Sequence, residues 1–180
     1  MQIKNKIITI TIFFLSFFVC NLEILAEEFN ISAVKISVDK KNNIVTGEGS
    51  VIVTDSEGKV MKSDKVTYEK SKEFLLTEGS VEILDNEGNI IKTDKATYDK
   101  IKDIIITFKN SELILKEGYR ITSDKILYNN LKKIVSSDRD SILTDGDGNI
   151  VSVSMFHYYL EKNLFSSVGK IKIIDIKKNK

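Results

Sequence analysis

The chain has 180 residues, 42% hydrophobic and 29% charged, with a formal net charge of +1, one cysteine and one histidine. Length and composition fit a single globular domain with a sizeable core rather than a disordered chain. Near-neutrality removes the electrostatic basis for nucleic-acid binding, and one histidine without a thiol beyond Cys20 leaves no material for a nucleophile with a histidine base, a zinc site or a haem ligand set.

Residues 1–26 differ in kind from the rest. Lys4 and Lys6 lead an apolar run from Ile7 to Leu22, and Ile24-Leu25-Ala26 then precedes the charged Glu27-Glu28. This is the pattern of a secretory signal peptide, with cleavage expected after Ala26. An uncleaved anchor is the competing reading, but Thr9, Thr11, Ser16 and Asn21 interrupt the run, which falls short of the ~20 apolar residues of a span. Phe17-Phe18-Val19 before Cys20 lacks the small residue that lipoprotein processing requires. The leader holds two lysines and one glutamate, so residues 27–180 are formally neutral.

From Ile44 to Gly169 the chain repeats every 30 residues. EGSVIVTDSEGKVMKSDKVTYEK from Glu48 and EGSVEILDNEGNIIKTDKATYDK from Glu78 match without a gap; later copies keep Ser123-Asp124-Lys125 with Tyr128, then Gly148-Asn149 with Tyr158. Such a period means a modular architecture. Within each copy, apolar and polar residues alternate with period two, which predicts strands. Val45, Val51 and Val53 share one face, and so do Leu75, Val81 and Ile83, then Ile105, Leu113 and Leu115. Val135 and Leu143 follow, then Phe165, Ile171 and Ile173. The second strand of each copy sets Val66 and Tyr68, Ala96 and Tyr98, Ile126 and Tyr128, and Phe156 and Tyr158 on a common side.

The stretches DSEG, DNEG, KEGY and DGDGN inside the copies predict hairpin turns, and Lys/Asn-rich reversals after each tyrosine predict further short turns. Residues 31–43 are in register with the second-strand pattern, Ile36 and Val38 standing where Val66 and Tyr68 stand one copy later. The expectation is about ten antiparallel strands in one domain with one apolar face, which closes as a sandwich, jelly roll or barrel. A parallel β-helix is the alternative, and the hairpin turns count against it.

Candidate chemistry is sparse. His157 occupies the strand slot of Thr67 and Thr97 and reads as a surface residue. Asp64, Asp94 and Asp124 recur in equivalent places, whereas a catalytic pair needs two carboxylates in unlike environments, so they are expected to close strand ends or pair with the neighbouring lysine. Asp145-Gly-Asp-Gly-Asn149 looks like a calcium loop, but Phe156 stands where an EF-hand places its bidentate glutamate, and a turn is expected. The tyrosines are read as core or cavity-rim residues whose hydroxyls reach water at strand ends, rather than as a sugar-stacking stripe.

The repeat resembles the OstA-like family, which includes the lipopolysaccharide transport proteins LptA, LptC and LptD. The likeness is carried by Gly49-Ser50-Val51, Ser63-Asp64-Lys65-Val66-Thr67-Tyr68, Gly79-Ser80-Val81 and Thr93-Asp94-Lys95-Ala96-Thr97-Tyr98, and more weakly by Ser123 to Tyr128 and Gly169-Lys170-Ile171. It implies an all-β, antiparallel, repeat-built jelly roll over 27–180, open at both ends, with no catalysis and no cofactor. It also implies a place in the periplasm at the outer membrane. The expected ligand is lipopolysaccharide, its lipid A chains held by Val51, Val53, Val66, Val81, Ile83, Ala96, Ile105, Leu113, Ile126, Leu143, Phe156 and Ile171. Other OstA-like domains are the expected partners, added at strand edges near 31–38 and 171–176. The end at Lys177 to Lys180, before the next turn and strand of the repeat, suits either a free-standing LptA-type bridge or part of an LptD-like protein. A cell-envelope structural or polysaccharide-acting β-repeat domain is the alternative.

Overall fold

The computed structural model describes residues 29–174. The expected signal peptide with its cleavage site, Cys20, and the residues from 175 onward lie outside the described residues. The described chain is fourteen strands: β1 (Phe29–Ser32), β2 (Lys35–Asp39), β3 (Ile44–Asp55), β4 (Val60–Glu69), β5 (Phe74–Leu84), β6 (Ile90–Asp99), β7 (Ile104–Phe108), β8 (Ser111–Ile114), β9 (Arg120–Ser123), β10 (Leu127–Asn129), β11 (Ile134–Ser137), β12 (Ser141–Thr144), β13 (Ile150–Tyr159) and β14 (Leu164–Ile174). Single 3-10 turns at Lys70–Lys72 and Leu160–Lys162 are the only helical elements among the described residues. Every pairing is antiparallel.

Ten strands were expected and fourteen are present, because each long strand is bent at mid-length and in four places the bend breaks it. The ladder between β3 and β4 skips from Glu48 to Val51, and that between β5 and β6 from Glu78 to Val81. Both bulges place a Gly-Ser pair at positive φ: Gly49 and Ser50 at 78° and 48°, Gly79 and Ser80 at 77° and 45°. Where Lys109 and Asn110 replace the pair, the strand separates into β7 and β8. The first predicted strand likewise divides into β1 and β2.

The bends fold the sheet into two facing leaves joined along a crease. One leaf holds β2, β7, β10, β11, the first halves of β3, β5 and β14 and the tyrosine-bearing halves of β4, β6 and β13; the other holds β1, β8, β9, β12 and the remaining halves of those six strands. Because β6 pairs with both β7 and β8, the two leaves form one continuous hydrogen-bonded path. Their inner faces bury the alternating aliphatics in a single cluster that runs from Phe29 to Tyr158. Leu75, Leu113, Ile121, Ile126 and Val135 are wholly inaccessible. Each such side chain stabilises the fold by about 1.5–3 kcal/mol relative to exposure.

Candidate functional site: the interior between the leaves

Three boundaries define the interior: the crease, the opposite long edge where turns of the two leaves meet, and the two ends of the stack. At the crease, the recurring aspartates cover the bulges. A side chain at Gly79 would bring its Cβ within 2.3 Å of Asp64 Oδ2, so this carboxylate lies directly on the glycine, where positive φ and close approach both require the absence of Cβ. One copy on, Asp94 Oδ2 accepts a hydrogen bond from Asn110 Nδ2 at 2.7 Å. Pairing with the adjacent lysine does not occur. Lys65 meets Glu48, Lys95 meets Glu78 and Lys125 meets Asp138, because neighbouring residues of a strand point to opposite faces while cross-strand residues stand side by side.

The long edge opposite the crease is a seam of buried polar contacts. Each hairpin aspartate first builds its own turn: Asp55 Oδ1 accepts the amides of Glu57 at 2.9 Å and Lys59 at 2.8 Å, and Asp85 and Asp145 repeat the arrangement. The second oxygen of Asp55 then accepts the Tyr98 hydroxyl from the other leaf at 3.1 Å. Lys59, buried to 1% exposure, donates to the same hydroxyl at 2.8 Å and to Asp103 at 2.9 Å, while Lys100 lies 3.5 Å from Asp55. One copy later the seam is built from amides: Tyr128 donates to Asp85 at 2.7 Å, and Asn89 donates to both Asp85 at 2.8 Å and Tyr128 at 3.3 Å.

These hydroxyls are not at water, as their place at strand ends suggested; they are buried because the turns of the opposite leaf fold over them. Burial and the nearby Asp103 and Asp55 carboxylates push the Tyr98 phenol far above its usual range, and burial with Asp85 does the same to Tyr128. Burial also raises Asp103, but hydrogen bonds from Lys59 and Asn130 and the charge of Lys59 outweigh it and hold the carboxyl below its ordinary value.

The seam changes character toward the C-terminus. Leu115 occupies the aspartate position facing Tyr158, whose hydroxyl turns to Asn163 instead, and Tyr119 packs against Tyr158 with ring centroids 6.3 Å apart. At the other end Phe29 closes the interior, edge-on to Tyr68 at 4.8 Å and to Tyr98 at 5.9 Å. At the C-terminal end Phe165 on β14 stacks on Phe156 with ring centroids 5.4 Å apart, while Ile171 and Ile173 further along β14 are 55% and 69% exposed.

No protein-family model matches the sequence, and comparison with curated proteins finds no significant match. Among solved structures, the chain is similar to the crystal structure of LptH, the LptA homologous periplasmic component of the lipopolysaccharide transport device from Pseudomonas aeruginosa, with a TM-score of 0.56 and 15% identity over 83% of this chain and 99% of that one. The fold is the LptA-type β-jelly roll. At that identity the likeness speaks for the fold alone.

Within this jelly roll, eleven of the twelve expected lining residues lie in the buried cluster, from Val66 at 0% to Leu143 at 9% exposure. Ile171 is the exception, because β14 pairs with β13 and no described strand follows it. His157 is on the exposed face, and Asp145-Gly-Asp-Gly-Asn149 is a turn whose aspartate is held below its usual range chiefly by the Asn149 amide. No group of carboxylates, histidines or cysteines able to hold a metal occurs among the described residues, and no described helix is long and apolar enough to cross a membrane. The seam residues Asp55, Lys59, Asp85, Asn89, Lys100 and Asp103 were not expected as a group. Their signal was the co-variation of successive copies, in which Lys59 and Asp103 become Asn89 and Lys133.

Proposed function

We propose that the chain is a non-catalytic periplasmic component of the lipopolysaccharide transport bridge that holds lipid A acyl chains between its leaves on the way to the outer membrane. It is either free-standing and LptA-like or the N-terminal domain of an LptD-like protein. Other OstA-like domains join it by strand addition at β14 and at β1–β2. The observation that carries this reading is an apolar inner face that runs the length of the fold and emerges into solvent at Ile171 and Ile173. An acyl chain loses about 0.8 kcal/mol per methylene on entering water, so a lipid crossing an aqueous compartment needs an apolar wall of this kind. The signal peptide expected in residues 1–26 supports export.

The middle of the interior is filled by its own side chains, so loading requires the leaves to part along the seam. The same tight filling favours a second reading, a structural cell-envelope domain without lipid. Photo-crosslinking in cells that make lipopolysaccharide separates the two. Probes at Val53, Ile83 and Leu113 are expected to give lipid adducts while one at Glu82, on the outer face, gives none. Equal labelling of both faces, or none, overturns the carrier reading in favour of the structural one.

A further inference from the structure

The outer face of the tyrosine-bearing leaf loses its charge around β7. Along that strand Ile104, Ile106 and Phe108 point outward while Ile105 and Thr107 are buried, and Phe108 is 37% exposed. Leu127 and Thr97 stand beside Ile106 on the two flanking strands, with Leu76 beside Thr97. The row continues to Thr67 on one side and to Ser136 on the other, so the six adjacent strands from β4 to β11 carry no charge along the midline of this face. A row across the outer face of the other leaf reads Lys62, Glu82, Lys92 and Glu112. Charged residues therefore fit the outside of this sheet, and their absence around β7 leaves an apolar patch of the kind that marks a protein contact.

Charges resume on either side of the midline, and their order selects what covers it. β4 presents Lys65, Thr67 and Glu69 outward, and β6 presents Lys95, Thr97 and Asp99. On both strands a cation and a carboxylate stand at equal distances on opposite sides of the uncharged row. A two-fold axis laid along that row brings Lys65 against Glu69 and Lys95 against Asp99 of a second copy. It also sets Ile106 on itself and Ile104 on Phe108, and places no like charges opposite one another along β3 to β11. An axis laid along β7 instead brings Lys95 against Lys125 and Glu78 against Asp138. Within the chain the four charges meet Glu48, Lys72, Glu78 and Lys102 at a solvated surface, where such pairs contribute little and can be shared.

We propose that this outer face joins two copies of the chain back to back about the axis along the Thr67–Ser136 row. The contact is sheet on sheet, uses no strand edge, and is independent of whether the interior holds lipid. Sheets packed face to face keep their strand directions within about 30°, which leaves β4, β6 and β7 over their own copies. Six strands by the five residues of β7 cover about 30 by 20 Å at sheet spacings. Two copies then bury about 1,200 Å², at the lower end of specific interfaces, which suits a reversible dimer with a dissociation constant of about 10–100 µM.

Sedimentation equilibrium of the chain as purified from cells, in a Cys20→Ser background, reads the association from about 1 µM to about 500 µM, and a dimer is expected at the upper end. Ile106→Lys, on the axis, is expected to weaken it at least about tenfold, with unaltered urea unfolding showing that the variant stays folded. Lys95→Asp and Asp99→Lys each weaken it about fivefold, and the double reversal restores it. With Thr97→Cys, a bismaleimide spanning about 10 Å, the separation of stacked sheets, links two copies; with Glu82→Cys, on the other outer face, it links none. A monomer at every concentration overturns the proposal. A dimer untouched by Ile106→Lys, or linked as readily through Glu82→Cys as through Thr97→Cys, overturns it in favour of association at another surface. A double reversal as weak as the single ones overturns the two-fold axis assigned here.

Discussion

At Tyr98 and Tyr128 a phenol bridges the two leaves through a turn aspartate, with Lys59 and Asn89 completing the contact; at Tyr158 the aspartate position holds Leu115 and the phenol bonds its own following turn. The apolar inner faces of the two regions are built from the same alternation of aliphatic residues. What differs is the polar seam that fastens their free long edges. In this fold the aliphatics create the interior, while the seam fastens its free long edge at Tyr98 and Tyr128 and not at Tyr158.

The largest test of that contrast is Lys59→Met. It leaves Asp55 and Asp103 buried without the cation between them, and loss of one partner of a buried pair costs about 3–5 kcal/mol. Urea unfolding is expected to show this loss, whereas Lys172→Met on exposed β14 stays within about 0.5 kcal/mol; equal losses would break the comparison. A smaller effect is expected in acid. The Asp103 carboxyl titrates lower in the folded chain than in the unfolded one, so its contribution is present above about pH 4 and is lost as pH falls through the lowered folded value. Asp103→Asn is expected to flatten the dependence of unfolding free energy on pH between neutrality and pH 3.

Tyr128→Phe removes the bond to Asp85 and is expected to cost about 1–2 kcal/mol, against about half of that for Tyr158→Phe. A reversed order in thermal or urea unfolding places the fastening at the wrong end. The smallest effect belongs to Ile173→Ala. Although it occupies the repeat position of buried Ile83, it is 69% exposed, and its loss is expected to change stability by no more than about 0.5 kcal/mol.

Much of the architecture was legible because strand alternation has a fixed period. Val51, Val81 and Ile83 are buried as the alternation requires, and the turns at Asp55, Asp85 and Asp145 form as their Asp and Gly residues predict. The crease was not legible, since its bulges use non-glycine residues at positive φ as readily as glycine: Ser50, Ser80, Lys109 and Asn110 sit between 45° and 66°. The fate of the tyrosine hydroxyls was hidden for a different reason. Their partners lie 43 residues earlier in sequence, across the interior, and no local pattern joins Asp55 to Tyr98. The exposure of Ile171 was not legible, because alternation tells which way a side chain faces but not whether a strand stands beside it.

The order of the strands has a consequence for how the molecule assembles in time. From β3 to β6 each strand pairs with the next one in sequence, and at the far end β13 pairs with β14. Short-range pairings close small loops, so folding can begin at any hairpin and spread outward without waiting for distant segments to meet. The ladder that joins β13 to β14 is of this short-range kind, so β14 can form as soon as β13 is in place and without any segment from the far end of the fold.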